Sequence, residues 1–555
     1  MASTRAQALT QALTLALAAF TGLAAHAQAE RFDIARFQVE GDTLLGPAEV
    51  QHLVGAMAGP GRAYGDIQRA VDALQQAYAQ AGYTTVRVSV PEQELTGGTV
   101  TLKVTQAVIG TVTVSGNAYF SADNIRASLP SLQPGRVPDL RAVSASVQLA
   151  NDSPAKQVGV SLADGAVPGT IDAKVTVTDN NPLRVIGTLD NTGTSSSGRW
   201  RTGVALQHAN LFDRDQVGTL AYTTSPDSPS GMRLALYSLG YRIPLYGMGD
   251  SIDLVYGKSS ANSPASSPTL GGVLGFTGKG DIYGLRFNHF LGRQGEHSAR
   301  LVLGIDRKRI DSRCDLGGEE VSIAPPTPPI AACVPYVTAP LSLTYIGQRE
   351  SVGETLGYSL GLARNMASGT RYTNVDGRTD RYSYLTSGNR DTHDGFVVLR
   401  GAASWFKGLS NDWQVRLNAS AQYANAPLVA SEQFGLTGLQ LVRGFQERAV
   451  AADSGAIVNA ELYTPELAGP AGLAGLPGQL RLLAFYDAGY GANKRTAGTL
   501  VPSHVTVASM GVGARYAWGR NFNLRLDIAR VNDAGNAFTE KRGDWRAHLS
   551  AMVAF

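Results

Sequence analysis

From Leu183 to Phe555 the chain is written in short segments whose side chains alternate between apolar and polar. The last is the clearest. Trp545, Ala547, Leu549, Ala551, Val553 and Phe555 make one face, and Arg546, His548, Ser550 and Met552 make the other. Gln414, Arg416, Asn418, Ser420 and Gln422 alternate in the same way against Trp413, Val415, Leu417, Ala419, Ala421 and Tyr423. Asn523, Arg525 and Asp527 alternate against Phe522, Leu524, Leu526 and Ile528. A period of two marks a strand. The segments run to about 9–12 residues, the length that crosses a bilayer as a tilted strand. Lipid satisfies no backbone hydrogen bonds, so spanning strands are tolerated only in a closed barrel. A soluble sandwich also alternates, but it does not usually set strong polar rows against faces that are apolar throughout and flanked by aromatics.

The connections support the same reading. Sixteen candidate strands start near 184, 199, 216, 233, 250, 280, 298, 336, 353, 394, 413, 455, 479, 505, 522 and 545. Short links such as Ala209–Asp215, Ile243–Gly249, Gly292–Glu296, Lys407–Asp412 and Ala517–Arg520 alternate with long ones. The long ones are Ser260–Gly278, Asp311–Pro335, Asn365–Arg390, Ala426–Ser454 and Tyr490–Ser503. Outer-membrane barrels place short turns on the periplasmic side and long loops outside. An even strand count returns the C-terminus to the periplasm. Sixteen strands leave a lumen too wide for side chains to fill, so something else must occupy or gate it.

Composition fits and excludes. Charged residues are 17% of the chain, against roughly 25% in soluble globular domains. Net charge is +3, from 48 basic and 45 acidic residues. That balance offers no basic stripe for nucleic acid and no acidic, aromatic-poor disordered chain. Two cysteines exclude a disulfide-dense scaffold or a four-cysteine zinc site. The eight histidines show no metal spacing, and neither a Ser-His-Asp arrangement nor a carboxylate pair stands out. Gly489-x-Gly491 and Gly511-x-Gly513 are strand glycines followed by no helix, hence no phosphate cradle. No enzyme and no cofactor is expected.

Residues 1–29 carry one charged side chain, Arg5, then a small and apolar run over Ala12–Ala25. Ala25-His26-Ala27-Gln28-Ala29 holds two overlapping small-x-small frames, which together read as a cleavable secretory signal; a membrane anchor is the alternative, which the short Ala-rich run and the cleavage frames disfavour. No other segment reaches the roughly 20 apolar residues of a spanning helix.

Two small mixed domains follow, at 30–106 and 107–181, before the barrel at 182–555. In the first, Phe32–Val39 reads as a strand, Pro47 opens a helix, and a second helix follows Asp66 as N-cap. Its stripe is Ile67, Val71, Leu74, Tyr78 and Ala81, one helical face. Thr84–Val90 and Thr99–Val104 close a β-α-α-β-β order. Val108–Val114, helices over Ser121–Leu129 and Asp139–Ala150, and strands Val158–Leu162 and Ile171–Val177 repeat it. Val39-Glu40-Gly41-Asp42 and Val114-Ser115-Gly116-Asn117 hold equivalent places, about 75 residues apart, as in an internal repeat. Two unrelated α+β domains are the alternative.

Two motifs stand out. The loop Ala426–Ser454 contains Val442, Arg443, Gly444 and Phe445. The thirteenth strand carries Phe485, Asp487 and Gly489, with Arg481, Phe485, Asp487 and Gly489 on its polar row. Asp487 therefore points into the lumen, where a loop arginine folded inward can pair with it. An exposed loop arginine and an ordinary lumen acid are the plain alternatives. Cys314 and Cys333 lie in one long loop with 18 residues between them. Outside the cell a disulfide is the default and contributes roughly 3 kcal/mol at that loop length; two free thiols are the alternative.

Signal peptide, two β-α-α-β-β repeats, about sixteen antiparallel strands, Val-Arg-Gly-Phe, Phe-x-Asp-x-Gly and a terminal Phe555 together resemble the TpsB transporters of two-partner secretion, within the Omp85 superfamily. The resemblance covers nearly the whole mature chain. The small domains are similar to POTRA domains. The resemblance implies an all-β transmembrane barrel in the outer membrane, with two α+β POTRA domains in the periplasm. It implies that Arg443 sits at the tip of an in-folded loop against Asp487. Phe555 is expected to be the C-terminal assembly signal read by the barrel-assembly machinery, with outer-membrane lipid around the barrel. The implied partner is an unfolded secreted protein, such as an adhesin, a haemolysin or a contact-dependent toxin, whose folding outside supplies the drive. The POTRA domains would capture it as an added strand or in a groove beside a sheet edge. The family also carries a plug helix before its first POTRA domain, and here the first strand begins almost at the cleavage site, so gating is expected from the 426–454 loop. An insertase of the same superfamily is one rival, though insertases usually carry more POTRA domains. A passive porin is another, and porins lack them.

Overall fold

The computed structural model describes residues 31–41, 44–195, 197–229, 234–260, 265–266, 275–276, 279–311, 315–316, 319–320, 334–373, 377–386, 390–469 and 477–555. The signal segment, Cys314 and Cys333 lie outside the described residues. The chain divides into two compact units. One holds the residues up to Thr111 with Pro134–Leu140 and Asp164–Ile171; the other holds Val112–Gln133, Arg141–Ala163 and Asp172–Phe555.

In the first repeat, β1 (Arg31–Ile34), β2 (Arg36–Glu40), α1 (Pro47–Gly55), β3 (Gly59–Ala63), α2 (Tyr64–Gln80), β4 (Arg87–Ser89) and β5 (Thr99–Thr105) follow one another. The sheet order is β2-β5-β4, with β2 parallel to β5. The expected order is present with one addition. The single strand expected over Phe32–Val39 is split at Ala35, and its first half pairs with β3. The Gly-Pro-Gly-Arg-Ala of β3 has no alternation to announce it, because its part in this pairing is mostly backbone, with the Gly61 N–H donating to Asp33 Oδ1 at 2.7 Å. The stripe Ile67, Val71, Leu74 and Tyr78 is buried on α2 against Phe37, Val54, Val100 and Leu102. Asp66 is not the N-cap. The helix begins two residues earlier, and Asp66 Oδ2 reaches back to accept the Ala63 N–H at 2.9 Å. That bond, with Arg69 beside it, holds the Asp66 carboxyl below its ordinary value.

The second repeat contains β6 (Val108–Ser115), α3 (Ala122–Ala127), α4 (Leu140–Asn151), β7 (Lys156–Asp164) and β8 (Thr170–Asp179), with sheet order β6-β8-β7. The equivalent glycines of the two repeats do the same work. Gly41 has φ +100 and a Cβ there would lie 2.2 Å from the Val104 carbonyl oxygen. Gly116 has φ +87 and its Cβ would lie 2.3 Å from the Val177 carbonyl oxygen. Each lets the chain turn off its strand while pressed against a neighbour, which only glycine permits.

The barrel is a closed sheet of sixteen antiparallel strands. Its first eight are β9 (Leu183–Asp190), β10 (Arg201–Leu211), β11 (Gln216–Thr224), β12 (Ala235–Leu245), β13 (Asp250–Ser259), β14 (Gly280–Gln294), β15 (His297–Ile310) and β16 (Pro340–Ser351, with its outer piece Tyr336–Thr338). The rest are β17 (Glu354–Asn365), β18 (Val397–Gly408), β19 (Gln414–Ala424), β20 (Ser454–Tyr463), β21 (Gln479–Ala492), β22 (His504–Trp518), β23 (Phe522–Asp533) and β24 (Trp545–Ala554). All sixteen starts fall within a few residues of their expected places. In β16 both pieces keep one register against β15, broken at Ala339 before Pro340. Proline has no N–H for the ladder, and Asn365 Oδ1 instead takes the Ala339 N–H at 2.8 Å.

Closure joins β24 to β9 from Ser550↔Asp190 to Ala554↔Ile186. Phe555 extends it: its N–H donates to the Val185 carbonyl at 3.0 Å and its carbonyl accepts the Val185 N–H at 3.1 Å. The aliphatic rows Leu183/Val185/Leu189, Leu303/Ile305 and Leu360/Leu362 are exposed on the outside. An outward apolar belt is what a barrel in lipid presents. No helix among the described residues is long and apolar enough to cross a membrane.

Candidate functional site

The connection from Ala424 to Ser454 does not stand out from the rim. It is tucked among inward-facing wall residues and held at three places. At its start, Ala426, Leu428 and Val429 pack with Tyr382, Phe396 and Val398. Glu432 then takes bonds from Lys308 Nζ at 2.9 Å, Thr338 Oγ1 at 2.8 Å and Arg400 Nη2 at 3.3 Å, joining the loop to β15, β16 and β18. At its end, Asp453 forms a buried pair with Arg390, Nη1 to Oδ2 at 2.5 Å, and accepts the backbone N–H groups of Leu428 and Lys494, each at 2.9 Å.

Between these ends the loop reaches the opposite wall, on β20 to β24. Alternation explains why polar side chains wait there. On β21 the even residues Leu482, Tyr486 and Tyr490 are exposed outward, while Leu483, Phe485, Asp487 and Gly489 are buried inward. Register sets Asn459 opposite Asp487, Glu461 opposite Phe485, and Asp527 opposite Gly513. The inward rows of β20, β21, β22 and β23 thus present Asn459, Glu461, Asp487, Arg515, Arg525 and Asp527 to one another.

Arg443 enters this group with its side chain 1% exposed. Its Nε donates to Asp487 Oδ2 and its Nη2 to Asp487 Oδ1, both at 2.7 Å, and its backbone N–H adds a third bond at 3.1 Å. Nη1 donates to Glu461 Oε1 at 2.7 Å and Asp527 Oδ1 at 3.3 Å. The guanidinium carbon lies 3.5 Å from the centroid of the Phe485 ring, a cation–π contact made in a desolvated place. Asp527 is shared with Arg515 at 2.8 Å and Arg525 at 2.7 Å. Three guanidinium groups therefore meet three carboxylates, and no charge in the cluster is left alone. A fork–fork pair fixes direction as well as energy, so Arg443 sets both the depth and the orientation of the loop.

The neighbours of Arg443 complete the fit. Val442 and Phe445 are buried with Leu436, Val450, Ile457, Val505, Val507 and Val531. A Cβ on Gly489 would lie 3.2 Å from Val442 Cγ2 and 3.0 Å from Val507 Cγ2, so the glycine of Phe-x-Asp-x-Gly leaves the gap that Val442 fills. Gly444 has φ +95 and faces Val531, Ala529 and Ser509. Its N–H donates to His548 Nε2 at 2.8 Å. Arg525 holds the turn before the loop tip through Gln440 Oε1 at 2.8 Å and the Leu439 carbonyl at 3.0 Å. Beside the tip a cavity of about 630 Å³ extends to β16–β19, lined by Gln348, Ser404, Arg416, Asn418, Ser420 and Gln440 among others.

Of the residues singled out in the sequence, the structure brings together Val442, Arg443, Gly444, Phe445, Phe485, Asp487 and Gly489. Phe555 sits apart, exposed at the barrel seam. Glu461, Arg515, Arg525, Asp527 and His548 were not singled out for this site. Their signal was available: each falls on the polar row of its strand.

A second buried cation sits where the second repeat meets the barrel. Lys156 Nζ lies 2.5 Å from Asp215 Oδ2 and 3.1 Å from Asn124 Oδ1, and 5.1 Å from the centroid of the Phe120 ring. Burial pulls its ammonium below the ordinary lysine value, against the attraction of Asp215. Asp215 belongs to the β10–β11 turn, where Phe212, Asp213 and Asp215 all have positive φ, of 61, 53 and 57. Non-glycine residues persist in that region only when surroundings over-determine them. Here Ser121 Oγ donates to Asp213 Oδ2 at 2.5 Å, Asn124 Nδ2 to the Asp213 carbonyl at 2.9 Å, and Tyr246 Oη to Asp215 Oδ2 at 2.6 Å.

Comparison with known proteins agrees with this architecture. Residues 169–516 match the family described as haemolysin secretion/activation protein ShlB/FhaC/HecB. Residues 32–107 match the ShlB-type POTRA domain. The outer membrane transporter CdiB of Dickeya dadantii (strain 3937) is 23% identical over 444 residues, 78% of this chain and 72% of the relative. The heme/hemopexin transporter protein HuxB of Haemophilus influenzae (strain ATCC 51907 / DSM 11121 / KW20 / Rd) is 19% identical over 525 residues, 91% of this chain and 84% of the relative. Among solved structures, CdiB from Escherichia coli superposes with a TM-score of 0.69 at 19% identity, covering 96% of this chain and 92% of that one.

Proposed function

We propose, from the premise that this chain belongs to the ShlB/FhaC/HecB family of haemolysin secretion/activation proteins, that it passes one unfolded partner protein outward through its lumen. The chain is an outer-membrane β-barrel transporter with periplasmic POTRA domains. The family is one of transporters rather than enzymes. The finer reading concerns what moves and which residues serve it.

The observation that carries this reading is the Arg443 anchor. It pins a long loop to the charged wall of β20–β23 and leaves the cavity on the side of β16–β19. That side carries small and polar residues such as Ser359, Ala402, Ser404, Asn418 and Ser420. A wall of this kind offers hydrogen bonds to an extended backbone. In this reading Arg443 and Asp487 keep the loop in its secretion-competent position, and Phe555 serves barrel assembly. The second repeat, through α4 and β7, presents the arriving chain with an edge or groove to which it adds. Residues 1–29 direct export and are removed.

The test is genetic and quantitative. The gene is deleted, and each large exported protein encoded beside it is followed in the medium and on the cell surface. One such protein should disappear from both and return with the wild-type transporter. Unchanged export of all of them would contradict the reading. Photo-cross-linkers along Val158–Leu162 should trap the same cargo in transit.

A further inference from the structure

The outer face of the barrel is not uniform at its long-loop end. Over much of the circumference the lipid-facing row there is aromatic, with Tyr222, Tyr237, Tyr423, Tyr490 and Trp545 exposed. Such girdles mark the interface of a barrel with its membrane. Over β13–β17 the row changes sign. Lys258, Arg307, Arg309 and Arg364 are all exposed. They share strand parity with the exposed Leu254, Leu303, Ile305, Leu360 and Leu362, so they point toward lipid and not into the lumen.

Register gathers the first three. Lys258 stands opposite Asp281, and Asp281 opposite Arg309, so the three form one row across three strands. Tyr256, Tyr283 and Arg307 form the next row toward the membrane centre. With strands roughly 4.8 Å apart, Lys258 and Arg309 are separated by about 10 Å. Asp281 is the acid within the row, and it takes a hydrogen bond from Tyr256 Oη at 3.3 Å. Among the described residues no carboxylate pairs with Lys258, Arg307 or Arg309. Below them the outer surface forms an apolar groove of about 700 Å³, lined by Leu239, Leu254, Tyr283, Leu285, Ile305 and the stem of Arg307.

We propose that this patch of β13–β16 binds the phosphorylated headgroup of an outer-leaflet lipid, with an acyl chain in the groove beneath. The groove alone would accept any acyl chain. The cations there, which no described carboxylate pairs, supply the selection, as basic pockets on membrane proteins do for anionic headgroups. Arginine suits the role because its fork matches phosphate oxygens in pairs. A site of this kind would fix lipid against the strands that flank two of the long links, 260–278 and 311–335, and so steady that part of the wall.

The test uses the full-length protein purified in a non-ionic detergent, with diphosphorylated lipid A and chemically dephosphorylated lipid A as the two probes. Binding is read by native mass spectrometry. The wild type should prefer the phosphorylated probe. Each cation near an anionic headgroup is worth roughly fivefold, so Lys258→Gln/Arg307→Gln/Arg309→Gln should lose on the order of a hundredfold of that preference. The single variant Arg309→Gln, on an exposed position, should lose roughly fivefold. Arg530→Gln, on the outer face of β23 beside Trp545, should lose nothing. Equal binding of the two probes to the wild type would overturn the proposal. So would an unchanged preference in Arg309→Gln, or an equal loss in Arg530→Gln. Either of the last two would mean that the cations reach past the lipid into water.

Discussion

Arg443 and Lys156 are both buried cations, yet they are held in different ways. Arg443 is a hub: three carboxylates surround it, and two of them are shared with Arg515 or Arg525. Lys156 has one carboxylate, Asp215, with an amide and a ring completing its shell. The difference separates two uses of buried charge. A network can lose one shared acid and let its neighbours close ranks. A lone pair has no substitute charge, so the contact depends on both of its members.

The comparison breaks most visibly at the lone pair. Lys156→Ala leaves the buried Asp215 without its counter-charge, with only the Tyr246 hydroxyl on that oxygen, and should cost about 3–5 kcal/mol. It should appear as faster protease cleavage of the second repeat in isolated membranes, while the barrel keeps its heat-modifiable migration on a gel. Lys156→Met with Asp215→Leu removes both charges and should recover most of the resistance. If the single variant is as resistant as wild type, the joint does not depend on this pair.

A smaller effect is expected at the loop tip. Gly444→Ala places a side chain at φ +95 and 3.3 Å from Val531 Cγ2, costing about 1–3 kcal/mol. Loop cleavage by external protease should rise, with barrel abundance unchanged. The smallest effect is expected at a spoke of the network. Glu461→Gln leaves Arg443 with Asp487 and Asp527 and should cost at most about 1 kcal/mol. Secretion within twofold of wild type is the expected outcome. A loss as large as that of Gly444→Ala would show that the network does not share its charge.

Much of the barrel was legible because lipid imposes a rule that few residues escape. An outward residue is apolar or aromatic and an inward one small or polar, so period two survives along nearly every strand. The first domain was readable where a core wrote the pattern, as in Ile67, Val71, Leu74 and Tyr78. It was not readable at β3, which contributes mostly backbone to its pairing, nor at Asp66, where the same hydrogen-bond chemistry occurs two residues inside the helix. Arg443 and Asp487 were legible as motifs. Glu461 and Asp527 were visible only as members of polar rows, because register, not sequence distance, brings them to Arg443. Lys156 gave no signal: a single lysine at the head of a strand acquires meaning only when a turn from another domain supplies Asp215.

The central claim is that Arg443 and Asp487 act as one contact that holds the loop for secretion. The direct measurement is a double-mutant cycle of Arg443→Ala and Asp487→Ala, comparing cargo in the medium with transporter in the membrane. Each single variant should reduce secretion severalfold at nearly unchanged barrel abundance, and the double should be no worse than the worse single. Fully additive losses, or normal secretion in both singles, would contradict the claim.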